Sequence, residues 1–191
     1  MNTAVAISAA LAAPGEGWDQ GDIVSAMYFF ATDEKRPAIL VTPTCDVAQG
    51  KIPFWTFVAL FRDDEVAADL VAPELRGFGV AADQTNKNQR KQLAKIVANL
   101  VGQRYPRYQW IPVTVDGHTG FVADFTLVQS VTVGEAQEHA TRIARLVPSW
   151  REQAPVRYAS YMGRIGTDDF HAAEVEAAVE RVVTSALVKC K

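Results

Sequence analysis

The chain has 191 residues, of which 49% are hydrophobic and 21% are charged, and its formal net charge at pH 7 is −3. This size and composition are typical of one globular domain with an appendage, which needs no disulfide or metal to hold it together. The acidic balance argues against a general nucleic-acid binder, whose affinity rests on neutralising phosphates, but it leaves room for a local basic patch.

The cysteines and the first residues indicate the cellular compartment. Cys45 and Cys190 are far apart and form no motif, which is typical of a reducing compartment. No Lys or Arg precedes Lys35, so the start lacks the basic region of a secretory signal, and its mildly apolar stretch is too short to span a membrane. We therefore expect a cytoplasmic protein that makes no contact with a membrane.

The first third of the chain has the pattern of strands joined by turns. Apolar or aromatic runs predict strands at residues 23–31, 37–42 and 54–61. The short polar turn between the first two runs predicts a hairpin. Three breakers predict a loop at 43–53, and Pro73, Gly77 and Gly79 argue against a long helix at 63–79.

A helical period begins near Thr85. One helix face over residues 85–102 is apolar and consists of Leu93, Ile96, Val97, Leu100 and Val101. Thr85 or Asp83 is the expected N-cap, and Gly102 lies where a C-cap belongs.

Strands return after this helix and then give way to helices. The runs at 108–115 and 121–133, joined by Asp116-Gly117, predict a second hairpin. One helix is predicted at 136–146 and one or two short helices at 150–165, followed by a last helix that Thr167 caps.

The order of these elements divides the chain into three regions. Residues 1–20 form an N-terminal arm or strand, and residues 21–133 form a β-barrel body with the helix of about 85–102 inserted. Residues 134–191 form a helical extension packed on the body. A small, strongly bent barrel is the best way for so few short strands to bury both hairpins. The predicted fold class is α+β.

The opening hairpin carries a family resemblance. Gly21-Asp22-Ile23-Val24 is followed by a strand, a polar turn and Arg36-Pro37-Ala38-Ile39-Leu40-Val41-Thr42-Pro43. Together with a weaker match at 120–124 and 129–131, these segments resemble the PemK/MazF family of toxins. The resemblance implies a small SH3-like β-barrel, here with one inserted amphipathic helix and a C-terminal helical extension.

The resemblance also implies an activity. Members of that family are mostly ribosome-independent endoribonucleases that cut messenger RNA and act as dimers. Arg36 corresponds to their catalytic arginine, where a fixed cation stabilises the charge that develops on a scissile phosphate. Their next strand ends in a hydroxyl residue, whereas here Thr56 lies elsewhere in its strand, so Thr42 or Thr44 is the candidate replacement. A toxin–antitoxin or phage-defence setting follows by the same analogy.

The segment after the second strand holds a second candidate site, made of Thr42, Thr44, Cys45 and Asp46. Loops at strand ends often carry function, and Cys45 is a possible nucleophile if His118 or His139 approaches it as a base. The alternative is structural, with Cys45 as a small buried residue and Asp46 capping the turn.

The inserted helix and the residues after it hold a third candidate site, for RNA or a protein partner. Its basic residues lie opposite the apolar face or just beyond it, interleaved with tyrosines: Lys87, Arg90, Lys91, Lys95, Arg104, Tyr105, Arg107 and Tyr108. Tyrosines beside arginines can stack on single-stranded bases. The alternative is an ordinary solvated helix face, although this clustering is uneven for an acidic protein.

Three functional hypotheses remain open at this point. The first is an interaction module on a PemK/MazF-like barrel that binds a protein partner or RNA, or forms a homodimer. The alternatives are a metal-independent endoribonuclease that uses Arg36 and a cysteine-dependent enzyme that uses Cys45. The histidines and cysteines share no ligand spacing and no nucleotide motif is present, so we expect no metal and no small-molecule cofactor.

Overall fold

A computed structural model describes residues 11–12, 17–115, 117–163 and 172–189, and side chains at 17–115, 117–163 and 175–189. The protein is α+β, as predicted. The strands are β1 (Leu11–Ala12), β2 (Asp22–Phe29), β3 (Glu34–Leu40), β4 (Phe54–Arg62), β5 (Tyr108–Val115), β6 (His118–Thr132) and β7 (Arg142–Leu146). The helices are α1 (Thr44–Gln49), α2 (Asp63–Phe78), α3 (Lys87–Val101), α4 (Val133–His139), α5 (Pro148–Gly163) and α6 (Ala172–Lys189).

The strands form one antiparallel sheet in the order β1-β7-β2-β3-β4-β6-β5. Both predicted hairpins, β2–β3 and β5–β6, are confirmed. The register shifts in β2 between Val24 and Met27 and in β4 between Val58 and Leu60, and such irregularities bend strands. The sheet curls until the backbone N–H of Phe30 lies 3.4 Å from Oε1 of Gln129 on β6. The result is a half-barrel.

Both faces of the curled sheet are buried, because apolar residues alternate between them. Ile39, Leu60 and Phe121 point to the face that α5 covers. On the opposite face, Trp110 and Val122 pack under α2, α3 and α6. The rest of that face, which includes Phe57, packs with residues of α1 and α4. Helices therefore cover the sheet from both sides.

The inserted helix forms as predicted, with a different N-cap. Its apolar residues Leu93, Val97 and Leu100 are fully buried, and Gly102 is the C-cap. The N-cap is Asn86, whose side chain accepts from the backbone N–H groups of Asn88 and Gln89 in a capping box. The expected caps at Thr85 and Asp83 are therefore wrong, because Thr85 instead donates its hydroxyl to the carbonyl of Ala82 at 2.8 Å.

Two predictions about helix breakers are wrong. Residues 44–49 of the predicted loop form α1, which Gly50 ends in the left-handed conformation. Residues 63–78 form the long helix α2, although Pro73 lies inside it. Burial of Val66, Val71 and Leu75 compensates for the hydrogen bond that a proline removes. Three acidic residues in the first turn also favour this helix start.

The helix predicted at 136–146 is wrong in its second half, where residues 142–146 form β7. This strand pairs with β2, and a buried ion pair accompanies the pairing: Asp22 is fully buried and accepts from Nε of Arg145 at 2.6 Å. Arg142 lies 3.4 Å from the same carboxylate. The segment after residue 133 thus contributes a strand to the sheet as well as helices.

Several expectations concern residues outside the described part of the chain, namely Asp116, Thr167, Cys190 and most of the arm at 1–20. Of the helices that are described, none combines the length and the apolar character needed to cross a lipid bilayer.

Candidate functional site

Arg36 lies near the start of β3, and its guanidinium is engaged within the protein. Its Nη2 lies 2.6 Å from Oε2 of Glu34, and its Nη1 lies 3.9 Å from Oε2 of Glu65. The guanidinium carbon sits 4.3 Å from the centre of the Phe61 ring, a cation–π contact. An arginine held by two carboxylates and a ring has little capacity left for a phosphate.

The candidate residues at 42–46 lie beyond the other end of β3. Thr42 is buried, and its Oγ1 accepts from the backbone N–H of Thr56 at 2.7 Å, so this hydroxyl serves to join two strands. Thr44, Cys45 and Asp46 form the first turn of α1. Because a strand rises about 3.3 Å per residue, roughly 20 Å separates Arg36 from Thr42. The candidate catalytic residues therefore do not converge on one centre.

Cys45 is exposed, which contradicts its interpretation as a buried structural residue. Its Sγ lies 3.7 Å from Oδ1 of Asp46, an acceptor beside the thiol. Among the described contacts of Cys45 there is no histidine. His118 instead contacts Asp63 on another element, and His139 lies exposed beside Glu138.

The basic residues of α3 form a continuous exposed row. Lys87, Lys91 and Lys95 follow each other at intervals of four, so they share one side of the helix and are about 6 Å apart along its axis. In the described part of the chain, no carboxylate lies within ion-pair distance of these three side chains. We call them the lysine row.

Arg90 and Arg107 are less available than the lysine row. Nε of Arg90 lies 3.2 Å from the carbonyl oxygen of Thr85, just before its own helix. Arg107 donates from Nε to Oδ1 of Asp124 at 2.8 Å and also pairs with Oδ2. Arg104, three residues after α3 ends, is exposed and also has an interaction within the protein.

The two tyrosines predicted to stack on bases are partly used inside the protein. Tyr105 and Tyr108 are half-buried, pack against the cluster under α2, α3 and α6, and contact each other edge to face with ring centres 6.3 Å apart. Arg107 also sits 4.9 Å from the Tyr108 ring centre. These rings do not present open faces side by side for successive bases.

The pairing of Arg107 with Asp124 makes stability depend on pH. Burial alone raises the pKa of Asp124, but hydrogen bonds from Arg107 and Thr126 outweigh it and hold that pKa below its usual value. Because the folded-state pKa is the lower one, the stabilisation is fully present above the unfolded value of about 3.9 and is lost as pH falls through the folded value. We expect Asp124→Asn to cost about 2 kcal/mol at pH 7.

The measurement for this pair is the difference in unfolding free energy between wild type and Asp124→Asn, from urea titrations at neutral and at acidic pH. The difference should shrink as pH falls below about 4. An equal difference at both pH values would show that the carboxylate charge of Asp124 contributes nothing.

The lysine row borders an open groove between α3 and α6. The groove has a volume of about 590 Å³. Its floor is apolar and is made by Ala94 and Ala98 of α3 with Val175 and Val179 of α6. Lys91, Lys95 and Arg104 lie along the α3 side, and among the described residues Glu176 is the acidic one that lines the groove. We call this the α3–α6 groove.

Helix α6, which forms one wall of that groove, is fixed to the body by a polar cluster around Asp63. The fully buried Asp63 carboxylate accepts from Nε1 of Trp110 at 3.0 Å and pairs with both terminal nitrogens of Arg181 on α6. Nε2 of His118 lies 3.2 Å from its Oδ1. We call these four residues the Asp63 cluster. A side chain at Gly120, where φ is +97°, would overlap both Asp63 and Arg181.

The neighbouring Asp64 fixes the last turn of the same helix. Nζ of Lys189 donates to Oδ1 of Asp64 at 2.8 Å, and Arg62 lies 3.3 Å from Oδ2. Burial raises the pKa of Asp64, but the hydrogen bond and charge of Lys189 outweigh that and lower it overall. Ligand atoms of Asp63, Asp64 and His118 lie within 4.8 Å of one another, the spacing of a metal site. Arg181 and Lys189 already supply the positive charge that these carboxylates need, so the arrangement is that of an ion-pair cluster.

One signal for this cluster is present in the sequence, although the breakers Pro73, Gly77 and Gly79 point the other way. Asp63, Asp64 and Glu65 follow directly after an apolar strand, and consecutive acids are typical of a helix start. Their partner Arg181 is 118 residues away from Asp63, and no local pattern connects the two.

The chain was compared with protein-family models and with curated proteins, and neither comparison gives a match.

Proposed function

We propose that the protein is an interaction module that binds an anionic partner through the lysine row of α3. The observation that carries this proposal is the alignment of Lys87, Lys91 and Lys95 on one exposed side of a helix, without a carboxylate partner among the described residues. Unneutralised cations in a row are costly in isolation and favourable opposite a matching line of negative charge. In an acidic protein, this concentration of positive charge on one face supports a partner-binding role.

The body is, in this proposal, a PemK/MazF-like SH3-type barrel in a toxin–antitoxin or phage-defence system. The resemblance of residues 21–24 and 36–43 supports this idea, and so does the position of these residues in a curled antiparallel sheet at the β2–β3 hairpin. A homodimer belongs to the same analogy, and the two widely spaced cysteines support a cytoplasmic location.

Binding is favoured over catalysis because of how the candidate catalytic residues are engaged. Arg36 is held by Glu34 and Glu65, and Thr42 has its hydroxyl in a strand-joining hydrogen bond. A general acid–base mechanism needs its groups within reach of one substrate atom, and these groups lie at opposite ends of β3. The endoribonuclease alternative requires Arg36 to leave both carboxylates.

The test is polyanion binding with reversed charges. Labelled poly-uridine RNA and labelled heparin are titrated with wild type and with Lys87→Glu/Lys91→Glu/Lys95→Glu, and anisotropy is read at several salt concentrations. We expect wild type to bind at least one of them, and the triple variant to lose at least about tenfold in affinity because each cation near a phosphate contributes to the salt-dependent term. The slope of log affinity against log salt should fall by about 2 to 3.

The control is Lys35→Glu/Lys51→Glu/Arg76→Glu, which changes net charge equally at exposed positions away from α3. It should bind within about twofold of wild type if the effect is local. An equal loss of affinity in both triple variants would show that net charge alone determines binding. That result would contradict the lysine row as the binding site. Gels of the same RNA test the alternative: cleavage that Arg36→Ala abolishes would establish an endoribonuclease.

A further inference from the structure

The α3–α6 groove differs from the lysine row beside it in that its floor is apolar. Ala94, Ala98, Val175 and Val179 present small or branched aliphatic groups to the groove, and no aromatic residue lines it among those whose side chains are described. Contact with an apolar floor does not stabilise a solvated phosphate backbone. Aliphatic side chains of a ligand, by contrast, contribute about 25 cal/mol of binding free energy for each Å² of apolar surface removed from water. The ligand that uses both floor and rim must therefore have an apolar side and a negative side.

The rim specifies the sign of that ligand. Among the described residues, Lys91 and Lys95 lie on the α3 side, with Lys87 one turn further along the same row, against Glu176 on the α6 side. This excess of positive charge repels basic ligands and favours acidic ones. Opposite charges on ligand and rim speed association, whereas like charges disfavour binding. The acidic charges of the ligand should flank its apolar stripe on the side that faces α3.

Single-stranded RNA is less suited to this groove than a protein segment. Proteins that bind single strands combine positive charge with aromatic rings on which bases stack. Here Tyr105 and Tyr108 are half-buried and contact each other edge to face, away from the groove lining. An amphipathic helix, by contrast, places apolar residues at i, i+3, i+4 and i+7 in a groove and keeps its charges at the rim.

We propose that the α3–α6 groove binds an acidic amphipathic helix of a protein partner, with its apolar stripe on the Ala94–Ala98 floor and its carboxylates opposite Lys91 and Lys95. This inference rests on the proposed function and names the class of anionic partner. Helix α3 has 15 residues and is therefore about 22 Å long, so a ligand helix of about four turns matches the groove. The fixed position of α6, held by Arg181 and Lys189, makes the groove a preformed site.

The experiment uses three synthetic probes with the full-length protein. One is a labelled peptide of about 15 residues with Leu at helical spacing and Glu elsewhere. The second has the same composition in scrambled order, and the third is poly-uridine RNA of similar charge. The variants are Lys91→Glu/Lys95→Glu and Ala94→Met, since methionine fills the groove with a good helix former and no change in charge. We expect the ordered peptide to bind at least about tenfold more tightly than the scrambled one.

The two variants separate the contributions of floor and rim. Both should weaken the ordered peptide by about tenfold or more, while Ala94→Met should leave RNA binding unchanged. Carbodiimide crosslinking of the wild type, mapped by mass spectrometry, should join peptide carboxylates to Lys91 or Lys95, which tests the site even if Ala94→Met does not fold. Circular dichroism and thermal unfolding check the fold of each variant.

Each outcome decides a separate point. Ordered and scrambled peptides that bind equally would overturn the helix-binding inference and leave the anionic-partner proposal standing. RNA that binds more tightly than either peptide and is weakened by Ala94→Met would do the same, because it would place RNA in the groove. No binding of any polyanion, heparin included, would overturn the proposed function itself. Crosslinks confined to lysines outside α3 would contradict the groove as the site.

Discussion

Replacement of Asp63 by alanine is expected to lower the free energy of unfolding by about 3–5 kcal/mol, because breaking a buried ion pair leaves its other charge uncompensated. The carboxylate is fully buried and receives Arg181 and Trp110, with His118 beside it. Loss of the carboxylate removes this partner from Arg181, Trp110 and His118 at the same time. Helix α6 should then lose its main polar attachment to the start of α2.

Urea titrations followed by tryptophan fluorescence measure this effect. The matched control is Asp69→Ala, an exposed carboxylate on the same helix, for which we expect a change within about 0.5 kcal/mol. Arg181→Ala and the double variant complete a cycle, and the double variant should be less destabilised than the sum of the single variants because the orphaned charge is removed with its partner. Strict additivity would show that the pair is not coupled.

Replacement of Arg157 by leucine is expected to cost about 3–4 kcal/mol, since each buried hydrogen-bonding group left unsatisfied costs about 1–3 kcal/mol. Arg157 on α5 is 5% exposed. Its Nη2 lies 2.9 Å from the carbonyl oxygen of Gln103, 3.1 Å from that of Tyr108 and 3.4 Å from that of Tyr105. One guanidinium thus contacts three backbone carbonyls in and beside the connection between α3 and β5.

The part of the chain that Arg157→Leu destabilises first distinguishes the loss of these hydrogen bonds from a general loss of packing. Hydrogen exchange should accelerate first at residues 103–108, before global unfolding, in Arg157→Leu. Arg157→Lys should recover only part of the stability, because an ammonium lacks the planar geometry of the guanidinium. Glu152→Leu, an exposed change on the same helix, is the control and should stay within about 0.5 kcal/mol of wild type. Uniform exchange along the chain in Arg157→Leu would contradict the assigned role.

The elements that sequence patterns predicted well are those that local interactions determine. Helix α3 carries its apolar face, its capping box and its terminal glycine within 17 residues, from Asn86 to Gly102. The two hairpins have short turns between apolar runs, so pairing requires little loop closure. Physical chemistry over a few residues is sufficient in both cases.

The elements that were missed depend on distant partners. Strand β7 has the sequence RIARL, whose two arginines carry no strand signal until Asp22 is placed beside them. Helix α2 tolerates Pro73 because α3 and α6 bury its apolar side, and packing of this kind overrides local propensity. The lysine row was visible from its spacing, whereas the apolar floor of the α3–α6 groove required the position of α6.

The place of β7 in the sheet has a consequence for the synthesis of the protein on the ribosome. Ile23 of β2 pairs with Ala144 of β7, and at usual elongation rates the chain between them takes about 6–24 s to make. During that interval β3 can pair with one edge of β2, while the other edge is open and Asp22 lacks both arginines. An unpaired strand edge is a site of aggregation. The nascent chain therefore needs protection, by the ribosome surface or by a chaperone, until residue 146 has emerged.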